Sequence, residues 1–369
     1  MAAGSTSSEG TSHKKLFIPG PTEVRPEIRA KLSLAPIGHR APEFSELFNS
    51  ITSKLQRLLY TQNQIFLSTS SGTGLMEAGI RNCVEKKCLN ATCGAFSERW
   101  HKIALDNGKQ ADTVSVEWGK ANTPELIDEK LSSGEYDALC FTHNETSTGV
   151  TNPLYEVAEV VKKYPDVIFM VDAVSSMSGV KIEVDKLGID LCLASVQKCL
   201  ALPPGFSVCS VSQKALNRAE KVPHRGHYFD FLALLKKAAK GQTPTTPSIP
   251  HMYALDSQLD AIFAEGLENR FERHRRMADM VRSWASKSGF EMFSQEGYRS
   301  NTVSCMRNNK GINVAALNSE LAKKNMLISN GYGILKEKAF RIAHMGELTP
   351  VDIEELLQNI DEILERTGT

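Results

Sequence analysis

From Pro42 to Leu59 apolar residues recur every three or four positions (PEFSELFNSITSKLQRLL), which predicts an amphipathic helix. The apolar run QIFLST then predicts a strand, followed by the small-residue loop SSGTG at 70–74 and a helix over LMEAGIRNCV. The middle of the chain alternates. DALCFTHNE reads as strand then loop, PLYEVAEVVKKY as a helix opened by proline, and VIFMVDAVSS as a buried strand ending in polar residues. GIDLCLASVQK and FSVCSVS are two further strands. Apolar strands separated by helices predict an α/β fold with a mostly parallel sheet covered on both faces. Ligands of such sheets sit at the carboxyl ends of the strands, where the polar residues of this chain gather.

The flanks read differently. LFIPGPTEVRPEI holds three prolines and a glycine, so an extended arm is expected there and no helix. Beyond Gly241, QTPTTPSIP has three prolines and three threonines, and a long helical pattern follows from His251 to about Ser286. NTVSCMR and FRIAHMG are strand candidates, and NVAALNSELAKKN and PVDIEELLQNIDEILER are helices, which predicts a smaller α+β domain. The expected organisation is a disordered tail over 1–15, a large domain with an N-terminal arm over 16–265, and a small C-terminal domain over 266–369.

A chain of 369 residues exceeds what one hydrophobic core supports, which agrees with two domains. Lys plus Arg and Asp plus Glu both number 43, and no basic block stands out, so nucleic acid is not an expected partner. None of the eight cysteines has C-x-x-C spacing and no Cys/His cluster resembles a metal site, so free buried thiols in a reducing compartment are expected. The first thirteen residues lack the apolar stretch of a secretory signal and the arginines of a transit peptide, and no apolar run reaches the ~18 residues of a membrane span. A cytoplasmic protein is the expectation.

Several residues then stand out as chemistry. Lys198, in LASVQKCLALPPGF, follows an apolar strand; partial burial lowers a lysine's pKa and frees a neutral amine to attack an aldehyde. Asp172 ends the apolar run of VIFMVD and needs a partner, for which a protonated pyridine nitrogen is suited. The SSGTG loop lets backbone N–H groups approach an oxyanion at a helix N-terminus, without the Gly-Lys-Ser/Thr of a Walker A loop. Thr146 or Ser147 is placed to hydrogen-bond a cofactor, Phe96 to lie on a planar ring, and Arg341 to clamp a carboxylate with its fork. Each has a blander reading alone: a strand-end lysine facing water, a capping aspartate, an ordinary core phenylalanine, an arginine in a salt bridge.

In order along the chain, FIPGPTEV, GHRAPEF, SSGTGLMEA, HNETSTGV, VDAVSS, GIDLCLASVQKCLALPPG, EGLEN and FRIAHMGE resemble the class V aminotransferases of the fold-type I pyridoxal-phosphate enzymes. The likeness is to the alanine–glyoxylate and serine–glyoxylate (serine–pyruvate) aminotransferases in particular, and it runs from about Leu16 to the final helix. It implies a fold-type I transferase with pyridoxal 5'-phosphate as cofactor. Lys198 matches the Schiff-base lysine, Gln197 a phosphate contact, and Asp172 the carboxylate paired with the pyridine nitrogen. Phe96 matches the aromatic over the ring, Gly72, Thr73 and Gly74 the phosphate-binding turn, and Thr146 a hydroxyl near cofactor and substrate. Arg341 matches the substrate-carboxylate arginine, and Gly20 lies in the arm that lines the substrate pocket. Thr246 matches a phosphate contact from the partner subunit of a homodimer. Thr243 stands where a tyrosine is often found, which puts that contact in doubt. His39, Arg40 and the SNGYG loop at 329–333 receive no role. The implied reaction is ping-pong: a small amino acid such as alanine or serine gives its amino group, and glyoxylate or pyruvate takes it, with freed Lys198 shuttling the proton.

Two alternatives stay open. A 2-aminoethylphosphonate–pyruvate transaminase shares the KCL and PPGF character after the lysine but usually reads HCET and SANKC where this chain has HNETSTGV and SVQKC. A cysteine desulfurase-like lyase needs a mobile cysteine in the C-terminal third, where Cys305 stands in a predicted strand.

Overall fold

The computed structural model describes residues 13–367. Strand β1 (Lys15–Phe17) leads to helices α1 (Pro26–Lys31) and α2 (Pro42–Leu58). Next come β2 (Gln64–Ser68), α3 (Gly72–Cys83), β3 (Lys87–Thr92), α4 (Ala95–Asp106) and β4 (Gln110–Ser115). Then α5 (Pro124–Leu131), β5 (Ala138–Thr142), the short hairpin β6 (Asn144–Glu145) and β7 (Val150–Thr151), and α6 (Leu154–Val161) follow. The central segment closes with β8 (Ile168–Asp172), α7 (Val184–Leu187), β9 (Leu191–Ser195), β10 (Ser207–Val211), α8 (Gln213–Lys221) and α9 (Phe231–Ala238). The last third holds α10 (Ile249–Glu265), α11 (Leu267–Lys287), β11 (Val303–Arg307), α12 (Val314–Lys323), β12 (Met326–Asn330), β13 (Ala339–Ala343) and α13 (Pro350–Thr367).

Seven strands form the large sheet in the order β2-β10-β9-β8-β5-β3-β4. Only β10 runs antiparallel, to both β2 and β9. The sheet is buried on both faces, so its strands read as continuous apolar runs, yet their side chains still sort by parity. Phe169 and Val171 of β8 join the core beneath α2, α6 and α10, whereas Ile168 and Met170 join the core beneath α3 and α4. Leu191 and Leu193 of β9 face α3 in the same way. Extending that alternation by one step turns Asp172 and Ser195, the last residues of β8 and β9, toward α3 and α4.

A second sheet has the order β1-β12-β13-β11 and packs on α11, α12 and α13 over its own core. The arm contributes to it: β1 pairs in parallel with β12, Lys15 opposite Met326. The tail expected over 1–15 falls mostly outside the described residues, and its last member, Lys15, already belongs to β1 and pairs with Asp352. The arm is extended as expected only to Arg25; Pro26 sits at the first turn of α1, where its missing N–H costs nothing. The helix expected from His251 to Ser286 is two helices. Gly266 lies between them with φ of 85°, a conformation glycine tolerates and that ends the α10 ladder. Among the described residues no helix is long and apolar enough to cross a membrane. All eight cysteines are buried and free.

Candidate active site

Four pieces of chain meet at the carboxyl ends of β8 and β9: the start of α3, the first turns of α4, the β6–β7 turn, and the turn after β9. They enclose a cavity of about 210 Å3. Of the residues singled out from sequence, Gly72, Thr73, Phe96, Thr146, Asp172, Gln197 and Lys198 line it.

Lys198 lies three residues past β9, and its amine donates to the carbonyl of Pro19 in the arm. Gly20 packs against the same side chain: a Cβ there would come within 2.8 Å of both Cδ and Nζ. Thr22 fastens the arm further, its hydroxyl donating to the Lys198 carbonyl at 2.9 Å and its N–H to that of Gln197 at 3.2 Å. Burial pushes the Lys198 amine down to about 8, and the positive charges of Arg341 and Arg99 push the same way. Roughly a tenth of such amines are neutral at pH 7, far more than for an ordinary lysine.

Asp172 is only 4% exposed. Its Oδ1 accepts the Val174 N–H at 2.8 Å, and among the described residues no hydrogen bond reaches Oδ2. Burial pushes this carboxyl up to about 7, against the pull of the Val174 N–H. A buried carboxyl with an unused oxygen on a cavity wall suits a cationic ligand. Beside it, burial holds His143 down to about 4, so this ring, bonded to Ser176 Oγ at 3.0 Å, is neutral at pH 7.

The start of α3 presents the opposite sign. Gly72 N–H donates to Ser195 Oγ at 2.5 Å, while the Thr73 N–H, in the first turn, has no i−4 carbonyl to pair with. Gln197 lines the cavity beside this turn; its side-chain oxygen is buried without a partner among the described residues, and the Nε2 side of the amide is the one that can donate to an anion. A Cβ on Gly72 would meet Val174 and Ser195 at 2.8 and 2.9 Å, so only glycine allows the close approach. Gly74 does not line the cavity; a Cβ there would meet the Phe229 ring at 2.8 Å and Ser70 Oγ at 3.0 Å.

Phe96 opens α4. Its N–H and that of Ser97 donate to the carboxylate of Glu145, which is fully buried and also takes the Ser147 hydroxyl at 2.6 Å. That carboxylate caps the helix and fixes the Phe96 ring at the cavity wall. Thr146 holds Ser175 Oγ at 2.6 Å. Arg341 stands behind Thr146, 7% exposed, donating through Nη1 to the Thr146 carbonyl and through Nε to that of Asn330, both at 3.2 Å. No hydrogen bond among the described residues uses its Nη2.

Thr246 is exposed and does not line the cavity of its own chain. Thr243 is buried and donates to the Thr245 carbonyl. Arg40, left without a role by its sequence, donates to the carbonyls of Thr243 and Pro244 at 2.7 and 3.1 Å and so braces that segment. Tyr332 of the SNGYG loop packs 5.2 Å from Phe96 and takes a hydrogen bond from Arg99 at 3.0 Å. Arg99 and Ser195 also line the cavity, and no sequence motif singles them out. Helical spacing alone places Arg99 one turn after Phe96, and strand parity places Ser195 two after Leu193. Cys305 is buried in β11 with its thiol pushed up to about 12 by burial, the reverse of the mobile, ionised cysteine a desulfurase needs.

A planar ligand with an anionic group, a ring cation and an aldehyde therefore finds the α3 amides, the Asp172 carboxylate, the Phe96 ring and the Lys198 amine on one set of walls. The aminotransferase class-V family model matches residues 34–342. An uncharacterized aminotransferase of Methanocaldococcus jannaschii is 40% identical over 363 residues, covering 96% of this chain and 94% of that one. A serine–glyoxylate aminotransferase of Methylorubrum extorquens is 32% identical, covering 96% and 90%. The solved structure of an alanine–glyoxylate aminotransferase from Nostoc sp. matches with a TM-score of 0.90 at 28% identity over 96% of each chain.

Proposed function

Given that the chain belongs to the class-V aminotransferases, pyridoxal-phosphate-dependent transaminases of fold type I, we propose that it moves the amino group of a small amino acid, alanine or serine, to glyoxylate or pyruvate. The observation that carries this reading is the cavity of about 210 Å3 that Lys198, Asp172 and the start of α3 share, with Arg341 just behind its wall.

Bound pyridoxal phosphate supplies an aldehyde for the amino group and a cationic ring that withdraws electrons from the substrate Cα. Lys198 would hold that aldehyde carbon through Nζ, and as a free amine Nζ would take up and give back the substrate Cα proton. Its amine, held near 8, has the basicity that such a proton transfer asks for. Asp172 would accept the ring N–H through its unused oxygen. The Thr73 N–H, the open turn at Gly72 and the Nε2 side of the Gln197 amide would hold the phosphate, Phe96 would cover the ring, and the Thr146 hydroxyl would stand beside it. Arg341 takes the substrate carboxylate on its free Nη2 edge, and Gly20 keeps the arm close to the lysine. Donor and acceptor use one pocket in turn, the ping-pong order. The chain works as a homodimer in which Thr246 reaches the phosphate of the partner's site; its exposure and proline-rich setting support that.

The test is a rapid-mixing survey of the holoenzyme against alanine, serine, aspartate, glutamate and 2-aminoethylphosphonate, following loss of the cofactor's visible band. Alanine and serine are expected to bleach it fastest. Fastest bleaching by 2-aminoethylphosphonate sinks the donor assignment, and a fully active monomer in sedimentation sinks the shared site. Lys198→Ala is expected to fold normally and to lose transamination; near-normal turnover would overturn the role given to Nζ. Arg341→Gln is expected to raise the donor KM by ~10–100-fold, the worth of a charge-assisted fork.

A further inference from the structure

One arginine outside the cavity grips the back of the Lys198 turn. Arg270, in the first turn of α11, is 1% exposed, and all three of its nitrogens are engaged. Its Nη2 donates to the Cys199 carbonyl at 2.7 Å, directly after Lys198. Its Nε donates to the carbonyl and hydroxyl of Ser178 at 3.1 and 3.0 Å, in the loop that leaves Asp172. Its Nη1 reaches Glu265 at 2.8 Å and Glu347 at 3.2 Å.

Glu347 follows β13, the strand that carries Arg341. It takes Gln258 Nε2 at 2.7 Å and lies 3.1 Å from Arg25 Nε. Arg25 belongs to the arm, three residues past the Thr22 whose hydroxyl holds the Lys198 carbonyl. Gly346 completes the contact: a Cβ there would stand 3.4 Å from both the Lys198 carbonyl and Thr22 Oγ1. Two routes thus run from the end of β13 to the Lys198 turn, one through Arg270 and one through Arg25, and both pass through Glu347. A fully buried guanidinium is costly to desolvate and adds little stability over an apolar side chain of its size. What it provides here is geometry, since a planar fork binds three chain segments in fixed directions.

We infer that Arg270 is a positioning residue: by holding the Cys199 carbonyl and Glu347 together, it sets the spacing between Lys198 and the strand of Arg341. The inference rests on the roles given above to Lys198 and Arg341. Among the described residues nothing that lines the cavity hydrogen-bonds Arg270, so its effect reaches the site through the Cys199 turn, the Ser178 loop and Glu347.

The experiment compares the wild-type holoenzyme with Arg270→Lys, which keeps the charge and loses the fork, and Glu347→Gln, which keeps the size and loses the charge. Four readouts are taken: thermal midpoint, pH titration of the cofactor band without substrate, rate of covalent pyridoxal-phosphate capture by the cofactor-free protein, and kcat with KM for alanine. A misplacement of about 1 Å costs on the order of 100-fold in rate, so Arg270→Lys is expected to lower kcat and capture rate by ~10–100-fold with KM changed less than ~3-fold. Its band titration is expected to move as well, with Glu347→Gln shifting both in the same direction. A lower thermal midpoint with wild-type kcat, capture rate and titration overturns the inference, because a merely structural arginine gives that pattern. If Arg270→Lys does not fold, Glu347→Gln decides by the same readouts. Lys198→Ala runs alongside: retained transamination there refutes the role of Lys198 itself, whatever the Arg270 variant does.

Discussion

Replacing Asp172 by asparagine separates the stability cost of this carboxyl from its chemical use. The group is buried, accepts a single hydrogen bond from Val174, and is pushed from its ordinary 3.8 up to about 7. Between those values the folded chain keeps a proton that the unfolded chain has released. Stability linked to the group is therefore complete below about pH 4 and is lost as the pH rises through about 7. At ~1.4 kcal/mol per tenfold change in proton affinity, the loss in the cofactor-free protein is about 4 kcal/mol at pH 8, of which roughly 2–3 kcal/mol falls between pH 5 and pH 8. Asparagine keeps an acceptor for the Val174 N–H and has no charge to bury. Urea unfolding of both cofactor-free proteins at pH 5 and pH 8 reads the difference directly. The variant is expected to gain on the wild type by ~2–3 kcal/mol over that range, while binding pyridoxal phosphate less well and turning over poorly, because the ring cation loses its counter-charge. Saturating cofactor is expected to return the advantage to the wild type. Identical pH dependence in the two cofactor-free proteins would refute the account of Asp172 as an uncompensated buried carboxyl.

Two more perturbations test the neighbouring supports. Gly20→Ala places a methyl 2.8 Å from Lys198 Nζ at a φ of 111°; overpacking and backbone strain are expected to cost ~1–3 kcal/mol in unfolding free energy and the displaced amine ~10–100-fold in kcat, and wild-type kcat would show that the arm does not hold Nζ. Glu145→Ala leaves the Phe96 and Ser97 N–H groups and the Ser147 hydroxyl without their buried acceptor; a loss of ~2–4 kcal/mol in urea unfolding is expected, and a change under ~0.5 kcal/mol would remove Glu145 as the cap of α4.

Much of the site is legible along the chain because its residues stand where local patterns break. Lys198 and Asp172 each end or follow an apolar run, and a charge directly after buried strand residues needs a reason. The small-residue loop before α3 announces a helix N-terminus. Arg99 and Ser195 were within reach of the same reasoning, since helical spacing from Phe96 and parity from Leu193 place both on the cavity walls. Arg270 was not. In LENRFERHRRM it is one of several arginines on a polar-looking helix, and no local pattern separates it from Arg275 or Arg276, which face outward, although it is 1% exposed. Its burial follows from the turn at Gly266 and from the chain ends of β9 and β13 converging on it.

The amino-acid order by itself determined the alternation of strands and helices, the mostly parallel sheet, the strand ends where polar groups gather, and the type of chemistry they carry. These follow from side-chain period and propensity, which act over a few residues. Tertiary structure decided what depends on residues far apart in the chain. It laid β1 beside β12, pressed Pro19 and Gly20 against the Lys198 side chain, and left Asp172 with one unused oxygen in a buried wall. It also brought Arg270, Glu347 and Arg25 together behind the turn. Desolvation and close packing are properties of the assembled surroundings, so the amine near 8 and the carboxyl near 7 exist only in the fold.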